Sequence, residues 1–263
     1  MTRTILGAAM LALLSVPALA QERLTTGVST QSAGPQIGFT LRGGAAVAPE
    51  YFGSDDYEVG PDLGFELNYL NLGGLTFGDP DPLFQPTGFG VTGSFRYIGE
   101  RTAADSPELA GLDDVDDALE LGLGLRYATP GFEAFGAVRY GVVGHEAWVG
   151  ELGADVRSRP TDRLTLRAGP RVFFGDGDYA STYFGVTPAE AAASAFPAYD
   201  ASGGLLSAGI ELGAGYRFND DWGLDAAIRY DRLQNDAADS PISADDTQLS
   251  ARIGVTRRFT FGF

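Results

Sequence analysis

Few side chains in this sequence have the reach for chemistry. It holds one histidine, His145, and no cysteine. A zinc site is built from three or four histidine, cysteine or carboxylate ligands, and a hydrolytic triad needs a nucleophile beside its histidine. His145 lies between Gly144 and Glu146 in a short connector, with no nucleophile motif around it. The sequence therefore points to no catalytic residue, no metal ligand and no cofactor. Three acidic stretches, Asp55-Asp56, 113–117 and 236–246, have the composition of calcium ligands. None has the alternating acidic spacing, ending in glutamate, of a dedicated calcium loop. They read as solvated loops, with loose divalent-ion binding at a lipopolysaccharide surface as the alternative.

The chemistry that is abundant is arginine against carboxylate on every second residue. From Trp222, one parity reads Trp222, Leu224, Ala226, Ile228 and Tyr230, and the other reads Gly223, Asp225, Ala227, Arg229 and Asp231. The same division separates Leu206, Ala208, Ile210, Leu212, Ala214, Tyr216 and Phe218 from Ser207, Gly209, Glu211, Gly213, Gly215 and Arg217. It recurs in Leu119, Leu121, Leu123, Leu125 and Tyr127, and in 148–157, 164–174 and 247–263. Less regular runs cover 37–47, 62–69, 89–97 and 132–142, and the weakest is 75–78. Side chains of a strand point alternately to opposite faces. A membrane strand of about 9–11 residues turns one face to lipid and the other to a lumen.

A soluble β-sandwich also alternates, so the content of the polar face decides. Here that face carries Arg42, Glu66, Arg96, Glu120, Arg126, Arg139, Glu151, Asp155, Arg157, Arg167, Arg171, Glu211, Arg217, Asp225, Arg229 and Arg252. A dry core does not tolerate those charges, whereas a wet lumen pairs and hydrates them. The apolar parity ends in Tyr69, Tyr97, Tyr127, Tyr140, Tyr216 and Tyr230, as in an aromatic girdle at a lipid interface. The expected fold is all-β, a closed antiparallel transmembrane β-barrel spanning 36–263. Eleven runs break the even strand count of bacterial barrels. The sequence thus predicts twelve strands, the extra one hidden between Asn71 and Gly88, with ten as the alternative. Tight turns at 129–131, 159–162 and 219–221 alternate with long connectors at 99–117, 175–203 and 231–247, which places the long ones outside the cell. Thr187, Pro188 and Glu190 form a capping-box sequence for a short helix in one of them.

The N-terminus has the parts of a secretory signal: Arg3, an apolar run over 5–14, and small residues Ala18 and Ala20 before Gln21. Cleavage is expected between Ala20 and Gln21, leaving 21–35 as a periplasmic segment and placing the barrel in the outer membrane of a Gram-negative cell. The mature chain has 17 basic side chains, all arginine, against 35 acidic ones, a net charge of −18. That balance argues against nucleic acid as a partner. At the other end, Phe259, Phe261 and Phe263 share the apolar parity and stop with the chain, the pattern of a signal read by barrel assembly machinery.

Several motifs carry a family resemblance. Tyr183-Phe184-Gly185-Val186, Tyr199, Ser202-Gly203-Gly204, Tyr230-Asp231-Arg232-Leu233 and Asp239-Ser240-Pro241-Ile242 resemble the C-terminal half of the MipA/OmpV family. Ala48-Pro49-Glu50-Tyr51-Phe52-Gly53-Ser54 resembles that family's first external loop. The resemblance implies a monomeric outer-membrane barrel in contact with lipid and lipopolysaccharide. It also implies a scaffold for a murein lytic transglycosylase and a bifunctional penicillin-binding protein, with 21–35 as the largest candidate docking segment. A porin-like channel for small solutes and a surface adhesin are the alternatives. The Gly-rich lumen parity favours the channel, because glycine leaves space where larger side chains would plug a barrel.

Overall fold

The structure, a computed structural model, describes residues 34–73, 76–78 and 87–263. Residues 1–33, and with them Ala18, Ala20 and Gln21, lie outside the described residues.

Ten strands of 11–16 residues form the wall: β1 Gln36–Pro49, β2 Tyr57–Asn71, β4 Gly88–Ile98, β5 Ala118–Thr129, β6 Phe132–Val143, β7 Trp148–Ser158, β8 Leu164–Gly175, β9 Gly204–Arg217, β10 Trp222–Leu233 and β11 Thr247–Gly262. A further strand, β3 Thr76–Gly78, has three residues and pairs only with Tyr69–Asn71 of β2. The order around the wall is β3-β2-β1-β11-β10-β9-β8-β7-β6-β5-β4, antiparallel throughout. The twelve-strand expectation is corrected to ten, the alternative count. The run at 75–78 had been counted as a crossing, and three residues are far below the roughly 9–11 that a tilted membrane strand needs. Without it the count is even, and the long connectors 99–117, 176–203 and 234–246 fall at one end together with the short 144–147.

Apolar side chains of the outer parity pair across strands. Val91 lies opposite Leu125, Leu123 opposite Val138, and Ile228 opposite Leu212. These pairs supply sheet stability but face away from any protein core: Leu123 is 67% exposed, Leu63 66% and Val156 67%. A continuous apolar belt of this kind is untenable in water and suits hydrocarbon. Tyr97, Tyr127, Tyr216 and Tyr230 are exposed at its margins, and Tyr140 packs on Trp148 at 5.0 Å. Tyr69 departs from the expected girdle. A bulge between Gly38 and Phe39 sets it opposite Gly38, where it is buried. Leu206 departs likewise, because the irregularity at Phe173/Phe174 sends it into the interior cluster.

The connectors at one end fold inward as a cap. Helix α1, Gly177–Phe184, starts at Asp176, whose carboxylate accepts the Tyr179 N–H at 3.0 Å. Its buried face, Tyr179, Tyr183 and Phe184, meets Phe52, Phe173 and Leu206 over the lumen. A second cluster joins Tyr51, Leu109, Leu112, Val186 and Ile242. Helix α2, Pro188–Ala193, has the capping box of Thr187 and Glu190 read from the sequence. Helix α3, Asp236–Asp239, lies in the last connector, where Ser240 donates to the Phe184 carbonyl at 2.6 Å and ties that loop to the end of α1.

Candidate functional site: the charged lumen

The inward parity assembles three groups of ion pairs. Nearest the cap, Glu120 on β5 is fully buried and accepts from Arg139 Nε at 2.7 Å, with Arg96 at 3.6 Å. Arg139 also reaches Glu151 at 3.2 Å and Ser94 at 3.1 Å. Glu151 on β7 then meets Arg229 on β10, three strands away, at 2.8 Å. In the middle, charges pass from strand to strand across β7 to β2. Asp155 pairs with Arg171 at 2.9 Å and Arg171 with Glu211 at 3.4 Å. Asp225 pairs with Arg167 at 2.9 Å and Arg252 at 2.6 Å, and Arg42 joins Asp225 at 3.6 Å to Asp62 at 2.5 Å. Toward the tight turns, Glu133 takes Arg157 at 3.1 Å and Arg126 at 3.5 Å, with Glu66 lining the same space. Arg217 sits at the rim and donates to the Asp162 carbonyl at 2.9 Å.

The sequence reading left two of these carboxylates, Asp62 and Glu133, out of its lumen charges. Asp62 lies four positions from Glu66 and Glu133 six from Arg139, both already on that face, so parity alone was enough to find them. It also misread the glycines. Gly64 lies opposite Arg42, Gly90 opposite Arg126, Gly122 opposite Arg139 and Gly213 opposite Arg167. A Cβ on Gly213 would sit 2.5 Å from the Arg167 guanidinium carbon, and one on Gly64 3.0 Å from that of Arg42. Glycine here makes room for a guanidinium laid across the neighbouring strand, which takes up the space that favoured the channel alternative.

His145 also differs from its reading as an isolated loop residue. Gly144 at φ 84° and Glu146 at φ 48° turn the β6–β7 connector so that the imidazole folds inside, fully buried. Its Nδ1 accepts the Ala147 N–H at 3.1 Å, which leaves the proton on Nε2, 3.4 Å from Glu120 Oε1. Tyr179 and Tyr183 pack edge-on against the ring at 5.0 and 5.7 Å. No nucleophile completes the group among these contacts. Gly141 leaves the space, since a Cβ there would fall 2.5 Å from the imidazole. The acidic connectors serve as loop ties: Asp117 accepts from the Tyr97 hydroxyl and the Glu100 N–H, Asp236 from the Ser202 N–H, and Asp246 pairs with Arg232.

In the cap, burial, with Glu108 beside it, pushes the Tyr51 hydroxyl up to about 12. Burial raises Tyr183 to about 12 as well, and it raises Tyr179. For Glu190, N–H groups of Asp113 and Thr187 outweigh partial burial and hold the carboxyl below its usual range.

Phe259 and Phe261 lie on β11 beside Phe39, at 5.4 and 5.8 Å between rings, and Phe263 follows the strand, exposed. Two cavities flank the middle charges: one of about 540 Å³ at the tight-turn end, one of about 350 Å³ beneath the cap.

An antiparallel wall of ten long strands, apolar outside, charged inside and roofed by its own loops, defines a β-barrel of the outer-membrane type with a filled lumen. Its sequence places it more narrowly. The chain belongs to the MltA-interacting protein MipA family, whose profile it matches over residues 41–259. No curated protein matches it in sequence. Its backbone is similar to an outer-membrane channel from Pseudomonas putida F1, at TM-score 0.44 and 11% identity, covering 90% of this chain and 100% of that one. It is also similar to the translocator domain of autotransporter NalP from Neisseria meningitidis, at TM-score 0.40 and 13% identity, covering 88% and 90%.

Proposed function

We propose that this barrel is a non-enzymatic anchor that holds a murein lytic transglycosylase, and with it a penicillin-binding protein, at the periplasmic face of the outer membrane. In this reading the chain is exported with its signal removed after Ala20. It is assembled through Phe259, Phe261 and Phe263, and it stays monomeric among lipid and lipopolysaccharide. Residues 21–35 are the docking segment. The observation that carries the reading is the interior: arginine–carboxylate pairs knit across the lumen beneath a cap with an apolar core. Solutes entering from the cap end meet both obstacles, whereas a partner at the tight-turn end meets neither. The family's name supplies the partner class. The purified barrel, immobilised by an affinity tag, should retain a purified murein lytic transglycosylase, and a barrel lacking 21–35 should retain less. Failure of the full chain to retain it overturns the reading.

A further inference from the structure

The wall is joined by backbone hydrogen bonds from β4 through β5 to β11 and on to β1 and β2, but among the described residues no ladder joins β2 to β4. The two strands still come within 8 Å of each other by Cα, against about 4.5–5.5 Å for paired antiparallel neighbours. Strand edges left unpaired in hydrocarbon are costly, so this seam calls for something that occupies it.

A cavity of about 530 Å³ lies there, and its lining belongs to two worlds. Leu63, Phe95 and Tyr97 come from the exposed outer face, while Arg42, Arg96, Arg229 and Arg252, with Asp62 and Glu211, come from the lumen. The opening therefore connects the charged interior sideways with the lipid belt. Its four arginines are not equivalent. Arg42, Arg229 and Arg252 are held by carboxylates at 2.5 to 2.8 Å. Arg96 has Glu120 at 3.6 Å and the Tyr179 hydroxyl at 3.5 Å, and its guanidinium lies over the Phe173 ring at 4.7 Å. A guanidinium has five N–H donors in a planar fork that suits a carboxylate, and the long contacts of Arg96 leave that fork able to take another acceptor.

We propose that the β2–β4 seam is a lateral binding site for a single-chain amphipathic acid of the fatty-acid type. Its carboxylate pairs with Arg96, and its acyl chain passes between Leu63 and Phe95 into the bilayer. The opening between Leu63 and Phe95 leads to the lipid belt, so the ligand is one that the bilayer supplies. The site does not depend on the anchor reading, which the retention experiment tests separately.

The chain has no cysteine, which makes single-site labelling clean. Leu63→Cys carries a bimane at the seam, and Leu123→Cys carries one on the outer face of β5 as the control. In phosphatidylcholine vesicles, spin-labelled stearate should quench the seam label at about tenfold lower concentration than the control, and Arg96→Gln should remove that preference. Equal quenching at both positions overturns the proposal. So does an equal seam preference for spin-labelled phosphatidylcholine or phosphatidylglycerol, which would make the seam a general lipid contact. Because Arg96→Gln also disturbs Glu120, a second arm bridges Leu63→Cys to Phe95→Cys with a short bis-maleimide. Bridging should abolish the immobilised stearate signal in electron paramagnetic resonance, and a signal unchanged by bridging contradicts the site.

Discussion

At the cap end, five connectors interlock and bury Tyr179, Phe184, Leu109 and Ile242 almost completely. At the opposite end, turns such as 130–131 and 218–221 are too short to fold over anything, and a cavity of about 540 Å³ stays open among arginines and carboxylates. The cap is held by apolar burial, which no salt screens; the middle of the lumen is held by charges, whose worth depends on every partner being present. Among the described residues, the same wall thus ends in a roof on one side and a basin on the other.

The comparison can be broken first at its electrostatic side. Glu120→Ala leaves Arg139 and Arg96 facing a buried void of charge, and removal of one partner of a buried pair costs about 3–5 kcal/mol. The expected result is a clear drop in the urea or heat midpoint of the whole barrel. Phe184→Ala acts on the roof instead. Truncation of a fully buried phenylalanine costs about 3–5 kcal/mol, but here the loss should stay local. Proteases should cut within 176–203 while the strands keep their resistance to heat in detergent.

Alkali separates the two regions more gently. Tyr51 and Tyr183 ionise near 12 in the folded cap against an ordinary 10. The folded state therefore holds those protons more tightly, and its advantage is full below pH 10 and lost as pH rises through 12. Protection of cap amides from hydrogen exchange should fall over that window, before that of the strands. Smallest is Thr187→Ala, which removes the α2 cap and costs about 1 kcal/mol. It should raise exchange in 188–193 and leave the barrel midpoint where it was.

Much of this was legible in the residues. Period-two alternation fixes which side chains meet lipid, because a strand has only two faces, and the capping box at Thr187 needs only local chemistry. The count failed at 75–78, where alternation too short to cross a membrane still looks like a strand. Tyr69 and Leu206 failed because a bulge inverts parity without leaving a mark in composition. The roof was visible only as likeness. Phe52, Tyr183, Phe184 and Ile242, which carried the resemblance, turn out to be the cap's own core. No periodicity in a loop announces that it will fold into a lumen, and helix α1 went unseen for that reason. The glycines show the opposite error, since their space is filled by arginines from the next strand, a fact of register.

The central claim is that arginine–carboxylate pairs and a packed cap close this barrel to flow. Planar-bilayer recording of the purified chain tests it most directly. The account expects no steps above the empty-bilayer baseline, with steps emerging only when the cap and the middle arginines are removed together. Stable ohmic steps from the unaltered barrel would contradict it and make the protein a channel.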